Sequence, residues 1–339
     1  MIEEVTKNKP ESLVSADNSG QFFDGRLFAA QKLTELKRLV DEWQRQHKLG
    51  LTIVSIYPHE DEASVLYTKL KKQDALQAGI NYKTVPLSLG DSRHVWLKAV
   101  MKANRDPKVQ AILVQKPSRQ AYEKYGLKHR IVSDEVRNGA RSAKSLEFST
   151  WWQNIAESIS TAKDIDGLAP LTLFKLERMA EIVELKQRVR LGDLSEYLLP
   201  ATAQAVVDIA LFSQGNDLEK LRTKKIGVIG QSVIVGRPAV AGFQALGINT
   251  LQLTRKHDLS QELPECDVVV SATGKSDFIP AKWVKPGSVL IDVGAPKPEF
   301  QADCYSKAAF YTPVPFGVGP VTRACLLENL FKLPETYSP

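Results

Sequence analysis

The chain has 339 residues, room for about two domains, and its 43% hydrophobic and 25% charged content is that of an ordinary globular protein. The net charge of +6 suits anionic partners, yet no basic run interleaved with aromatics marks a nucleic-acid surface. Cys266, Cys304 and Cys325 lack metal or redox spacing, the start is polar and acidic, and no apolar run approaches the ~18 residues of a membrane span. A cytoplasmic protein with no structural metal is therefore expected.

Residues 1–20 are polar and read as a flexible lead-in. "FDGRLFAAQKLTELKRLVDEWQRQ" follows as a helix with Leu33, Leu36, Leu39, Val40 and Trp43 on one side. "LTIVSIYP", "NYKTVPL" and "VQAILVQKP" read as strands, separated by the helices "EASVLYTKLKKQDALQAGI" and "SRHVWLKAVMKANRD". Such alternation argues a parallel α/β sheet. In the first of those helices Ala63, Leu66 and Leu70 share an apolar arc. Tyr67 and Lys71, four residues apart, lie at its edge beside Ser64, whereas Lys69 and Lys72 point away. Gly79 is a suitable terminator.

The rhythm breaks between Lys116 and Lys163, which holds most of the excess positive charge. "STWWQNIAESIS" reads as a helix whose Trp151 and Trp152 serve as packing anchors; the rest is expected to be a partly ordered insertion. Leu171 to Leu199 reads as one or two helices. A second α/β domain begins near Ala201, and the final "VTRACLLENLFKL" is an apolar helix.

"KKIGVIGQSVIVGRPAVAGFQALG" has the strand, glycine turn and helix of a dinucleotide site. There the backbone must approach a pyrophosphate closely at a helix N-terminus. The spacing departs from G-x-G-x-x-G, since Ser232 and Val235 occupy the later glycine positions. At the end of the following strand an acid would grip a ribose hydroxyl. Arg255 and Lys256 stand there instead, which favours a 2′-phosphate, hence NADP over NAD.

Seven segments taken in order, "FDGRLFA", "EASVLYTKLKKQDALQAGI", "AILVQKP", "KDIDGLAP", "GQSVIVGRP", "WVKPGSVLIDVG" and "TPVPFGVGPVT", resemble the bifunctional methylenetetrahydrofolate dehydrogenase/cyclohydrolases. The resemblance spans about Phe23 to Phe331. It implies an α/β protein with two α/β domains flanking a cleft: a folate-binding catalytic domain over residues 21–200 and a Rossmann-like NADP-binding domain over 201–320. A terminal helix over 321–335 is expected to pack back on the first domain. The resemblance makes Lys71 the central catalytic group, oriented by Gln115, with Tyr67 stacking on the folate and Asp166 holding the pterin's amino edge. Ser64, Val114, Lys116 and the loop Pro315, Phe316, Gly317, Val318 and Gly319 complete the substrate set. Thr202, Gly230, Gln231, Ser232, Arg255 and Ala295 form the cofactor set. Tetrahydrofolate derivatives are the implied ligands and a homodimer the implied assembly.

The chemistry suits those residue types. Nitrogen lone pairs expel hydride from a methylene bridge, so that step needs chiefly positioning and the nicotinamide. Hydrolysis of the methenyl product needs a group that takes a proton from water and gives one to a ring nitrogen. A lysine whose surroundings disfavour its charge can do this. Several family positions are altered: Gln231 stands where Arg is usual, Phe316 replaces the first glycine of a G-G-V-G-P loop, Lys116 replaces an apolar residue, and "VGAP" stands for V-G-I-N. Residues 118–161 and 171–199 look longer than usual. A member with only one activity, a different two-domain dehydrogenase and a non-catalytic folate or dinucleotide binder are the competing readings.

Overall fold

The structure, a computed structural model, describes residues 14–17, 20–126, 141–169, 172 and 198–333. The expected helices within 171–199 lie, apart from Thr172 and residues 198–199, outside the described residues, as do residues 1–13 and 127–140. Two compact units emerge, with their border inside the first helix, α1 (Gly25–His47).

One unit runs from Leu33 to Thr172 and takes up the chain again at Leu330. Its sheet is parallel, in the order β4 (Asn81–Leu87), β3 (Thr52–Pro58), β5 (Ala111–Val114). The strands are joined through α2 (Glu62–Gln77) and α3 (Arg93–Arg105). β3 is almost wholly buried, as the central strand of a covered parallel sheet must be. α1 places Leu33, Leu36, Val40 and Trp43 in the core at alternating steps of three and four. α2 closes as expected: Gly79 at φ +79° and Ile80 donate to Leu76 O (3.1 Å) and Ala75 O (2.8 Å), the paired bonds of a Schellman end.

α2 departs from expectation in the face it buries. Ser64, Thr68, Lys71 and Ala75 point inward, while Leu66 is 54% exposed and Ala63 is exposed. Small side chains let the helix approach the strands closely. Ser64 and Lys71 find partners in Asp61 and Gln115, which hydropathy alone does not reveal.

The described part of the insertion includes two helices. α4 (Arg119–Tyr125) and α5 (Arg141–Glu157) pack aromatic on aromatic: Trp151 meets Trp96 edge-on at 5.3 Å and Tyr122 at 5.1 Å. Trp152 is buried, so both tryptophans act as the anchors the sequence suggested.

The other unit holds the described residues up to Lys32 and those from Leu198 to Asn329. Its sheet runs β1 (Val14–Asp17), β2 (Gly20–Phe23), β10 (Phe310–Tyr311), β9 (Val289–Asp292), β8 (Val268–Ser271), β6 (Ile226–Ile229), β7 (Thr250–Leu253). From β6 to β10 the pairing is parallel, in the doubly wound order 2-1-3-4-5. Two expected boundaries change. β2 pairs in parallel with β10, so residues 20–23 extend the second sheet instead of opening the first domain. The terminal helix α10 (Val318–Glu328) puts Val318, Val321 and Cys325 into the core shared with α6 (Ala201–Ser213). It therefore packs on the dinucleotide-type unit; its apolar stripe was legible, but not its partner.

Lys32 ties these elements together. Its ammonium lies 2.9 Å from Asp208 Oδ2 on α6 and 2.8 Å from Glu328 Oε2 on α10. Asp208, Cys325 and Glu328 could together ligate a metal by distance, but the ammonium already neutralises the two acids. Their charges raise its pKa well above the ordinary value against the opposing pull of burial, the larger single influence. Among the described residues no helix is long and apolar enough to cross a membrane. Lys32→Ala leaves two part-buried carboxylates facing each other and should lower the unfolding free energy by about 3 kcal/mol, read from urea denaturation. An unchanged midpoint would show that the cluster is not stabilising.

Candidate active site

Strand ends of the first unit assemble a polar site. Gln115 follows β5, and its backbone N–H donates to Ile56 O at 2.8 Å, which fixes where its side chain leaves the sheet. Lys71, 8% exposed on the inner face of α2, donates from Nζ to Gln115 Oε1 at 2.9 Å. Asp166 is half-buried nearby: burial raises its pKa, and the Lys71 charge pulls the other way. Three of the four residues expected at the catalytic centre, Lys71, Gln115 and Asp166, are thus brought together. A buried ammonium is tolerable because an amide oxygen and a carboxylate face it.

The turn carrying Asp166 is built by Asp164. Ile112 pairs with Asp164 across an isolated bridge, and Ile112 N–H donates to Lys163 O at 2.7 Å. The Asp164 carboxylate accepts from the N–H groups of Leu168 (3.1 Å) and Ala169 (2.7 Å). Burial nonetheless raises its pKa to about 6. Ser64 turns inward, 1% exposed, and donates to Asp61 Oδ2 at 2.5 Å. Asp61 also accepts from Ser118 N (3.0 Å) and Oγ (2.8 Å). Ser64 therefore anchors the first turn of α2, and its hydroxyl is already engaged. Val114 is likewise a buried sheet residue. Tyr67 is 36% exposed and free to meet a ligand. The Lys116 ammonium lies 5.6 Å from the Phe148 ring and 5.7 Å from that of Trp152, and burial lowers its pKa.

Sequence reasoning missed Asp61, Asp164 and Tyr82. Asp61 sits at the helix N-cap position, a usable signal; Asp164 hid inside "DIDG". Tyr82 has a phenol whose pKa burial raises, with the Asp166 charge adding to it, and no local pattern announces that proximity.

In the second unit Gly230, Gln231, Ser232, Arg255 and Ala295, of the expected cofactor set, follow the carboxyl ends of parallel strands, where open α/β sheets bind ligands. β6 and β7 end in register, Ile229 against Leu253, so Gly230 and Arg255 follow neighbouring strand ends. Gly230 has φ +123°, and a Cβ there would lie 2.3 Å from Ala272 O, just past β8. A Cβ on Gly236, at the start of α8 (Gly236–Ala245; α7 is Leu218–Arg222), would lie 2.3 Å from Gly230 O. Only glycine fits either place, as a turn cradling a pyrophosphate requires. Gln231 and Ser232 are exposed, and Ser232 Oγ accepts from Val235 N at 3.1 Å. Arg255 is exposed, Thr202 is half-buried near the start of α6, and Ala295 is exposed beyond β9. That last loop is held by Asp292, which accepts from Gly294 N (2.8 Å) and Glu299 N (2.8 Å). Of the expected substrate loop, which lies in this unit, Pro315, Phe316 and Gly319 are exposed, whereas Gly317 and Val318 are buried.

A buried lysine–glutamine–aspartate site on one unit and a glycine-cradled turn on a doubly wound other define an α/β enzyme of the dinucleotide-binding class. Comparison with known proteins narrows this. The catalytic-domain description of tetrahydrofolate dehydrogenase/cyclohydrolase matches residues 23–134, and its NAD(P)-binding-domain description matches residues 200–337. A bifunctional protein FolD of Magnetococcus marinus is 30% identical over 315 residues, covering 90% of this chain and 94% of that protein. A bifunctional protein FolD 2 of Roseobacter denitrificans is 29% identical, covering 90% and 92%. The structure of the bifunctional FolD methylenetetrahydrofolate dehydrogenase/cyclohydrolase of Campylobacter jejuni superposes with a TM-score of 0.71 at 26% identity, covering 92% of this chain and 97% of that one. The chain belongs to the tetrahydrofolate dehydrogenase/cyclohydrolase family of folate one-carbon metabolism.

Asp164 yields a pH prediction. Its folded pKa of about 6 exceeds the ordinary 3.8, so its stabilising contribution is complete below the lower value. It is lost as pH rises through the upper one. Asp164→Asn should therefore lose less melting temperature than wild type between about pH 4 and about pH 7. Parallel melting curves would show that this proton is not linked to folding.

Proposed function

We propose that the protein oxidises 5,10-methylenetetrahydrofolate with NADP and hydrolyses the methenyl product to 10-formyltetrahydrofolate. The observation that carries this reading is the buried Lys71–Gln115 pair beside Asp166. Gln115 fixes the lysine's direction, Asp166 receives the amino edge of the pterin, and exposed Tyr67, one turn from Lys71, stacks on the ring system. Lys71 takes a proton from the water that attacks the methenyl carbon. It returns that proton to the ring nitrogen as the carbon–nitrogen bond opens, and the remaining hydroxyl proton leaves to solvent as the formyl C=O forms, so the methenyl cation and water give the formyl product and one released proton. Bound at the Gly230 turn, a nicotinamide dinucleotide supplies hydride acceptance. Gly230, Gln231 and Ser232 would face its phosphates, Arg255 its 2′-phosphate, and Thr202 and Ala295 its nicotinamide half. The loop Pro315 to Gly319 contributes to substrate binding through its exposed residues. A cytoplasmic homodimer is the matching assembly, to be checked by light scattering.

NADP is favoured over NAD because cations, not a carboxylate, follow β7. A spectrophotometric assay with methylenetetrahydrofolate and each nicotinamide cofactor tests the first activity; no turnover with either removes it. Lys71→Ala should reduce methenyl hydrolysis at least ~100-fold, with the folded spectrum retained. Lys69→Ala and Lys72→Ala, on the exposed face of α2, should hydrolyse like wild type. Near-normal hydrolysis without Lys71 would take it out of its role. Gln231→Arg adds a charged fork near the proposed 2′-phosphate, so the KM for NADP should fall while that for NAD stays put. Equal changes in both would place residue 231 elsewhere.

A further inference from the structure

In the doubly wound sheet the crevice for a ligand opens between β6 and β8, whose connections leave to opposite sides. One wall of it is the Gly230 turn after β6; the other is the segment that follows β8 from Ala272. The two walls touch. Ala272 N donates to Ile229 O at 2.9 Å, and a Cβ on Gly230 would lie 2.3 Å from Ala272 O. The glycine turn keeps its place only if the segment beside it does. That segment has left the sheet at Ser271 and turns through Gly274 at φ +72°, so strand pairing does not set its course.

Glu299 sets it instead. The residue is 2% exposed, and its carboxylate accepts four hydrogen bonds from this one stretch of chain. Oε2 accepts from Ser271 Oγ, from Thr273 N (2.8 Å) and from Thr273 Oγ1 (2.7 Å); Oε1 accepts from Gly274 N (2.7 Å). The Thr273 hydroxyl passes the hold along by accepting from Lys275 N at 3.1 Å. The Glu299 carbonyl accepts from Phe278 N (2.7 Å) and Ile279 N (3.0 Å) further on. Glu299 is itself fixed from the end of β9, where Asp292 Oδ2 accepts from Glu299 N at 2.8 Å and from Phe300 N at 3.2 Å. A buried carboxylate is tolerable when donors converge on it in this way.

We infer that Glu299 is a positioning residue for cofactor binding, holding residues 271–274 as the wall against which the Gly230 turn is built. Being buried, it acts through that segment and not on the ligand. This rests on the proposed function, in which the Gly230 turn receives the phosphates of a nicotinamide dinucleotide. Its action is opposite in sign to that of a bare charge. A carboxylate near a phosphate site weakens anion binding by repulsion, so neutralising it would tighten the complex. A carboxylate that holds the wall loosens the complex when it is neutralised.

Two substitutions grade the hold. Glu299→Gln keeps one acceptor oxygen for Ser271 and Thr273 but turns an NH2 group toward Gly274 N–H; Glu299→Ala loses all four bonds. By calorimetric titration the Kd for NADP should rise about 3-fold in Glu299→Gln and at least ~10-fold in Glu299→Ala, with the Kd for tetrahydrofolate unchanged. An unchanged cofactor Kd in both variants, or a lower one in Glu299→Gln, overturns the inference. An equal loss of folate binding also overturns it, because that marks a general loss of structure. Should Glu299→Ala not fold, Glu299→Gln alone carries the test. Hydrogen exchange read by mass spectrometry follows the walls without any ligand. In the variants the amides of 271–275 and 230–236 should exchange faster than in wild type, and those of 111–116 at the wild-type rate. Unchanged exchange at 230–236 refutes the link between the walls. Should the wild-type protein bind neither NADP nor NAD, the proposed function fails by itself, and the exchange rates decide whether Glu299 positions the Gly230 turn.

Discussion

A lysine ammonium cannot be 8% exposed without polar company, and the unit around Lys71 is arranged to supply it. α2 has to present small side chains inward so that a long one can lie beneath it: Ser64, Thr68 and Ala75 share the stripe with Lys71. β5 has to end where Gln115 can reach Nζ, and its N–H bond to Ile56 sets that point. The turn after Asp164 has to bring a second carboxylate into the lysine's field. Each element alone is commonplace. The buried cation makes their relative positions a single requirement.

The dinucleotide-type unit answers to a different constraint, the register of its parallel strands. Because β6, β7, β8 and β9 end together, the turns that follow them converge at one edge of the sheet. The strand order reverses between β6 and β8, and there Gly230 approaches Ala272. Opening that edge to a ligand leaves the sheet to be closed elsewhere. β2 covers the side beyond β10, and the Lys32 cluster binds the start of α1 to α6 and α10.

Much of this was legible in the sequence. Alternating apolar runs announced two parallel sheets, and the glycine turn stood out from "IGVIGQSVIVG". The i, i+4 spacing of Tyr67 and Lys71 put both on one side of a helix. What local pattern could not carry was pairing at a distance. The apolar arc of α2 suggested that Leu66 was buried, yet the hydrogen-bonded stripe won, because Ser64 and Lys71 have partners in Asp61 and Gln115. α10 displayed its apolar residues without saying that α6 would receive them. Strand β2, four residues long, is too short to declare that it joins a sheet completed nearly three hundred residues later.

The departures from the family pattern fall unevenly across this framework. Asp61, Asp164 and Asp292 accept backbone N–H bonds. Replacing any of them would leave buried donors unpaired, a cost felt by the whole turn. Gln231 and Phe316, by contrast, are exposed, and neither side chain sits in a core cluster. Gln231 could change without disturbing its strand end. Phe316 could change only because Gly25 yields room for its carbonyl and Arg26 for its ring. Both therefore lie on surface loops whose backbones are fixed independently of the side chain, through Gly230 N–H to Leu253 O and Gly25 N–H to Phe316 O. Because Lys71 and Gln231 belong to different units, the chemistry proposed for one and the cofactor preference proposed for the other are separable properties of one chain.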